Sequence, residues 1–345
     1  MMRTKRALLF ALVLMMGFSL GRPSIVFGDD KKKEDPTNFT VKAIPSDHQI
    51  DKSKSYFDVM GKPNEEITLR YKIANNSGVK QTYLISVNSA STNKNGLINY
   101  KVNNKEESLP VSLSEITEVP KELTIPAVSD KEVAVKVKLP ADPFQGVLVG
   151  AIHTRLKEEV KNTDGSAMSV KNTYGYIIGI VVTESENQPL SKGEKLELKS
   201  VENKIDIGKK VFHANLLNPQ SAIFEPLAIT ATITGKNGGE AIATKEIENG
   251  RIAPHSVLPL ELDWGAGVLA AGDYRYKIHA QSNDEEWTFE DSFTITQEEA
   301  KKLNKEADVQ VRVPQIWWKA FYGVSAVTGL SLVFMCLRAI RRKRS

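Results

Sequence analysis

The chain has 345 residues, of which 41% are hydrophobic and 26% charged; this suits two domains of ordinary size and excludes a disordered or collagen-like chain. Its net charge of +4 comes from its ends, since residues 1–28 carry Arg3, Lys5, Arg6 and Arg22, residues 338–345 carry Arg338, Arg341, Arg342, Lys343 and Arg344, and neither segment holds an acid. The part between them is net acidic, which argues against nucleic acid as a partner.

In chain order, the basic residues 1–6, the apolar run 7–20 and Val26-Phe27-Gly28 before Asp29 predict a secretory signal peptide over 1–28. The competing reading is a retained anchor, because the apolar run is only a little short of a membrane span. A charged linker follows over 29–38. From 39 to 184, short alternating runs are broken by turn residues about every ten positions, the pattern of a β-sandwich. Strands are predicted at 39–44, 56–59, 66–75, 81–90, 97–102, 123–128, 132–139, 146–156 and 174–183. Alternation is clearest in Val133-Ala134-Val135-Lys136-Val137-Lys138-Leu139. The polar stretch 158–171 reads as a long connection between the last two strands, a natural place for a partner-binding loop.

A linker over 185–194 leads to a second β pattern over 195–296, the size of one immunoglobulin-like sandwich. Its strands are predicted at 196–201, 210–217, 227–234, 243–247, 257–263, 272–282 and 287–295. Gly235-Lys236-Asn237-Gly238-Gly239 lacks the Lys-Ser/Thr pair and helix of a phosphate loop and reads as a hairpin turn. Residues 297–312 predict a solvated stalk helix, with acids ahead of bases at helical spacing. Residues 316–337 are apolar and long enough to span a bilayer. Trp317 and Trp318 take the interfacial position, and Arg338, Arg341 and Arg342 in the tail over 338–345 fix a cytoplasmic C-terminus. The residues before the span, Val311-Arg312-Val313-Pro314-Gln315, contain no sortase motif, so the helix itself is the expected anchor. The one cysteine, Cys336, lies within that span, so the exported part has no disulfide. This suits a Gram-positive surface protein better than a eukaryotic ectodomain.

The fold class expected is therefore all-β, two tandem immunoglobulin-like β-sandwich domains with a signal peptide, a short stalk helix and one C-terminal transmembrane helix. Catalytic signals are sparse. His48, His153, His213, His255 and His279 have no partners at zinc-site spacing, and there is no G-x-S-x-G elbow. No metal or cofactor is implied. A glycosidase carboxylate pair could still be dispersed among the acids, since its members need not be neighbours in sequence. Thr92 with Asn93-Lys94-Asn95-Gly96 forms a polar turn that would suit a glycan, or simply closes a hairpin.

Several motifs carry a family resemblance: Phe39-Thr40-Val41-Lys42-Ala43-Ile44-Pro45, Tyr56-Phe57-Asp58-Val59, Ala90-Ser91-Thr92-Asn93 with Tyr100, and Phe144-Gln145-Gly146. To these the second half adds Asn218-Pro219, Ile252-Ala253-Pro254-His255-Ser256, Gly272-Asp273-Tyr274 and Trp287-Thr288-Phe289. Together they resemble the WxL-interacting proteins of lactobacilli, enterococci and their relatives; in that family Asn is expected where this chain has His255. The resemblance implies a non-enzymatic adaptor with a peptidoglycan-binding first domain and a host-binding second domain that associates with WxL-domain proteins and, through the second domain, with host extracellular-matrix proteins. It makes Tyr56, Phe57, Thr92, Asn93 and Tyr100 the ligand-contact candidates. Two other readings stand beside it: a wall-modifying hydrolase, and a membrane-anchored receptor that holds an exported partner by strand addition.

Overall fold

The computed structural model describes residues 38–157 and 174–307. The expected signal peptide, the 158–171 connection, the membrane span with Trp317 and Trp318, and the tail with Arg338, Arg341 and Arg342 lie outside the described residues.

The first half comprises β1 (Phe39–Ile44), β2 (Phe57–Met60), β3 (Glu66–Asn75), β4 (Gln81–Ser89), β5 (Ser91–Thr92), β6 (Ile98–Asn99), β7 (Thr117–Glu118), β8 (Glu122–Ile125), β9 (Ser129–Lys138), β10 (Val147–Leu156) and β11 (Gly175–Thr183). Two sheets, ordered β1-β3-β9-β7 and β2-β11-β10-β4-β8, face each other. The register places Ile67, Leu69 and Tyr71 of β3 opposite Val137, Val135 and Val133 of β9. All six are buried, so the period-two pattern turns one face of this pair wholly inward. Each aliphatic side chain so removed from water is worth about 1.5–3 kcal/mol. The Tyr71 hydroxyl meets Thr154 Oγ1 of the other sheet at 3.1 Å, and burial pushes its pKa up to about 12.

The second half adds β12 (Glu197–Asp206), β13 (Lys209–Asn218), β14 (Phe224–Gly235), β15 (Ala243–Ile252), β16 (Ser256–Asp263), β17 (Gly272–Ser282) and β18 (Glu285–Ile295). Its sheets run β12-β13-β16 and β15-β14-β17-β18. Between them Phe212 packs on Tyr276 and Phe293 at ring distances of 5.3 and 5.1 Å. β12 runs well past the predicted 196–201 because it forms a hairpin with β13. Ile207 and Gly208, both at positive φ, make the turn.

The two sandwiches share a corner that no sequence repeat reveals. At the end of β3, Asn75 Nδ2 donates to the carbonyls of Val79, Ile125 and Pro126, while its Oδ1 accepts from Ser77 N. At the end of β13, Asn218 does the same with Ala222, Ile252, Ala253 and Gln220 N. Each corner closes on a residue at positive φ, Val128 at 48° and His255 at 45°, whose N–H donates to Ser77 O or Gln220 O. Val128 is 78% exposed, whereas the His255 corner is covered by the first domain.

Two expectations are corrected. The strand predicted at 97–102 survives only as β6, which pairs with β5 outside both sandwiches. The Asn93 side chain accepts from the N–H groups of Asn95 and Leu97 and so folds this stretch into a separate two-stranded arm. The helix expected to be a solvated stalk is α1 (Gln297–Glu306), which packs on the second sandwich. Thr296 caps it, with Oγ1 accepting from Glu299 N at 3.1 Å. Ala300, Leu303 and Ala307 are buried. Asn304 also donates to Leu269 O and accepts from Leu269 N, both at 2.8 Å. The narrow stripe of two alanines and a leucine was masked by the surrounding charges, and it makes the helix a lid on the end of the sandwich.

Candidate functional site

The β5–β6 arm seats the first domain on the second. Thr92 Oγ1 accepts from Ala253 N at 3.0 Å and lies 3.0 Å from Ser256 Oγ. Arg251 N donates to Gly96 O at 2.8 Å. Gly96 has φ +69, and a Cβ there would stand 3.2 Å from Ile247 Cγ2, so the turn and the close approach both require glycine. At the arm's tip Lys94 Nζ meets Asp206 at 2.6 Å and Glu261 at 2.8 Å. Beside the arm, Asn104 Nδ2 donates to His255 O at 2.9 Å and Val147 N donates to Ser221 O at 2.8 Å. Ala90, Val147, Val149 and Val181 of the first domain form one buried cluster with Ile223 and Ala253 of the second. The linker joins this seat, because Lys192 N donates to Ile223 O and Ile223 N donates to Leu190 O.

Four of the five ligand-contact candidates therefore gather around the junction. Tyr56 and Tyr100 are half-buried against its apolar cluster. Thr92 is buried in its hydrogen bonds, and Asn93 shapes the arm's turn. Phe57 is separate, fully buried in the first core. His255 stands at the same junction with Nε2 2.9 Å from Ser221 Oγ, and burial lowers its pKa. Among the described residues, no group of three His, Cys, Asp or Glu side chains converges as metal ligands would.

Sequence reasoning did not reach a second feature. Where the chain crosses from β7, the edge of one sheet, to β8, the edge of the other, a cleft of about 610 Å³ opens. Leu84, Val87, Thr117, Glu118, Lys121 and Arg155 are among its lining residues. β8 covers β4 only over Gln81–Leu84, and one further bond runs from Ile85 N to Lys121 O. At the other end Ser89 N donates to Asn103 Oδ1 and Ser89 O accepts from Asn104 N. Backbone alternation puts the N–H and C=O of Val87 on this same outward side, and among the described residues none of the bonds outside the ladders reaches them. Thr117 Oγ1 is buried without a hydrogen-bond partner among the described residues. The arrangement depends on where β8 stops, which no local pattern announces.

No curated protein sequence matches the chain. Among solved structures it is similar to a chaperone–tip adhesin complex of CFA/I fimbriae, at 11% identity over 74% of this chain and 98% of that one, TM-score 0.29. The E. coli chaperone DraB matches at 13% identity over 73% and 95%, TM-score 0.27, and a PapD-like domain of human CEP192 at 9% over 48% and 99%, TM-score 0.28. These scores are too low to carry an argument. Family models are decisive: residues 39–155 match the WxL Interacting Protein peptidoglycan binding domain, and residues 165–305 match the WxL Interacting Protein host binding domain. The second match begins ahead of β11, although that strand completes a sheet of the first sandwich. With both models matched in order over most of its length, the chain belongs to the WxL-interacting protein family.

Proposed function

We propose that the protein is a non-enzymatic cell-surface adaptor of a Gram-positive bacterium: the first sandwich binds peptidoglycan, the second offers a face to host extracellular-matrix proteins, and the whole associates with WxL-domain proteins. The observation that carries this reading is the ordered match to the peptidoglycan-binding and host-binding domain models. The junction supports it physically. An arm, a buried apolar cluster and a laced linker hold the two domains as a platform whose binding faces keep a fixed relation. In this reading the cleaved signal peptide of 1–28 exports the chain and the apolar segment 316–337 anchors it in the membrane with the bulk of the protein in the wall.

The test mixes the full-length chain in detergent with purified sacculi and, separately, with a WxL-domain protein of the same cell. Co-sedimentation and a saturable isotherm, without release of soluble sugar, are expected. Failure to bind either refutes the adaptor reading, and sugar release abolished by a single Asp or Glu substitution establishes a hydrolase instead.

A further inference from the structure

We infer that the cleft between β4 and β7 binds a short extended peptide bearing carboxylates, the chemistry of the peptidoglycan stem peptide and not of the glycan strand. This deepens the peptidoglycan-binding reading and rests on it.

Shape selects an extended chain. The outward N–H and C=O of Val87 offer the hydrogen bonds that a strand takes from a sheet edge. Length then selects a short one. Ile85 N is already held by Lys121 O, and Ser89 by Asn103 and Asn104. The open edge is thus closed at both ends, and a long strand from a protein partner could not continue its ladder past either.

Charge selects the side groups. At the cleft Lys121, Arg155 and Glu118 make no ion pair among the described residues. Two cations and one carboxylate, unpaired among the described residues, match a peptide with two carboxylates and one amine. Leu84 and Val119, both half-buried, supply apolar wall for small side chains. The volume of about 610 Å³ lies in the range of small-ligand sites.

The probe is N-acetyl-L-alanyl-γ-D-glutamyl-L-lysyl-D-alanine, titrated into the full-length chain in detergent. Hydrogen exchange is followed over the segment containing Leu84 to Val87, and sedimentation with sacculi is measured on the same preparation before and after an amidase strips the stem peptides. Expected are saturable binding, slowed exchange at Val87, loss of sedimentation after stripping, and affinity roughly tenfold or more weaker in the double variant K121A/R155A. Both residues are exposed, so that variant keeps its fold. Undiminished binding to stripped glycan strands overturns the inference while leaving peptidoglycan binding intact. Sedimentation with intact sacculi but no tetrapeptide binding, or protection of β4 by protein-derived strands alone, also overturns it. No binding to sacculi of either kind refutes the peptidoglycan reading itself.

Discussion

Replacing Thr92 by valine keeps the shape of the side chain and removes only its hydroxyl. That hydroxyl accepts from Ala253 N and lies beside Ser256 Oγ, 161 and 164 residues away in sequence. In the variant the Ala253 N–H stays buried beneath the first domain with no acceptor, at a cost of about 1–3 kcal/mol. Taking about 2 kcal/mol, local opening at Ala253 becomes roughly 30-fold more populated. The cost falls on the junction, because Thr92 belongs to the arm and to neither core. Amide hydrogen exchange of the full-length chain therefore resolves it: peptides covering 250–256 and 91–99 exchange faster, while those of the β3–β9 core keep their wild-type rates. A Thr92→Val, Ser256→Ala cycle adds a coupling of about 1 kcal/mol. Unchanged exchange at Ala253, or equal acceleration in the β3–β9 core, refutes the assignment of Thr92 to the domain seat.

Burial holds the His255 imidazole below its ordinary value, so the unfolded chain takes up the proton first as pH falls. The stability this histidine contributes is whole above a pH of about 6.5 and is lost progressively below it. His153 and His213, lowered by the same cause, contribute in the same sense; His255→Asn, which suits φ +45, should flatten only part of the decline in unfolding midpoint between pH 7.5 and 5, and an identical decline refutes the role given to His255. Gly146 lies at φ +75, where an added Cβ would stand 2.3 Å from Ser221 O; Gly146→Ala is expected to cost about 2 kcal/mol or more in denaturant unfolding. Gly78→Ala, with nothing within 4 Å, serves as its near-neutral control. Val128 is β-branched at φ +48 yet 78% exposed, so Val128→Asn relieves strain without losing packing and should raise stability by about 1 kcal/mol; a lower midpoint contradicts that account.

How much of this could be read in advance depended on the range of the causes. Val133, Val135 and Val137 announce their strand because alternation is local, and the same holds for Leu69 and Tyr71 across from them. The arm was legible as a turn at Asn93 to Gly96 but not as a contact, since its partners Arg251, Ala253 and Ser256 lie over 150 residues away. Thr92 and Tyr100, ligand-contact candidates through the family resemblance, accordingly lie at the seat between the domains. The two asparagine corners went unseen because Asn75 and Asn218 act through backbone carbonyls, which carry no sequence signal. The lid helix showed its period but not its destination, as Ala300 and Leu303 form too thin a stripe to outweigh the charges around them.

The lacing of the linker gives the molecule a mechanical property. Leu190 and Lys192 are bonded to Ile223 immediately beside the seat of the arm, so tension between the two domains meets the covalent connection and the arm's contacts side by side. While the seat holds, the connection stays short. Once it yields, residues 185–194 are free to straighten to a span of about 35 Å, and they release slack before either sandwich is pulled open.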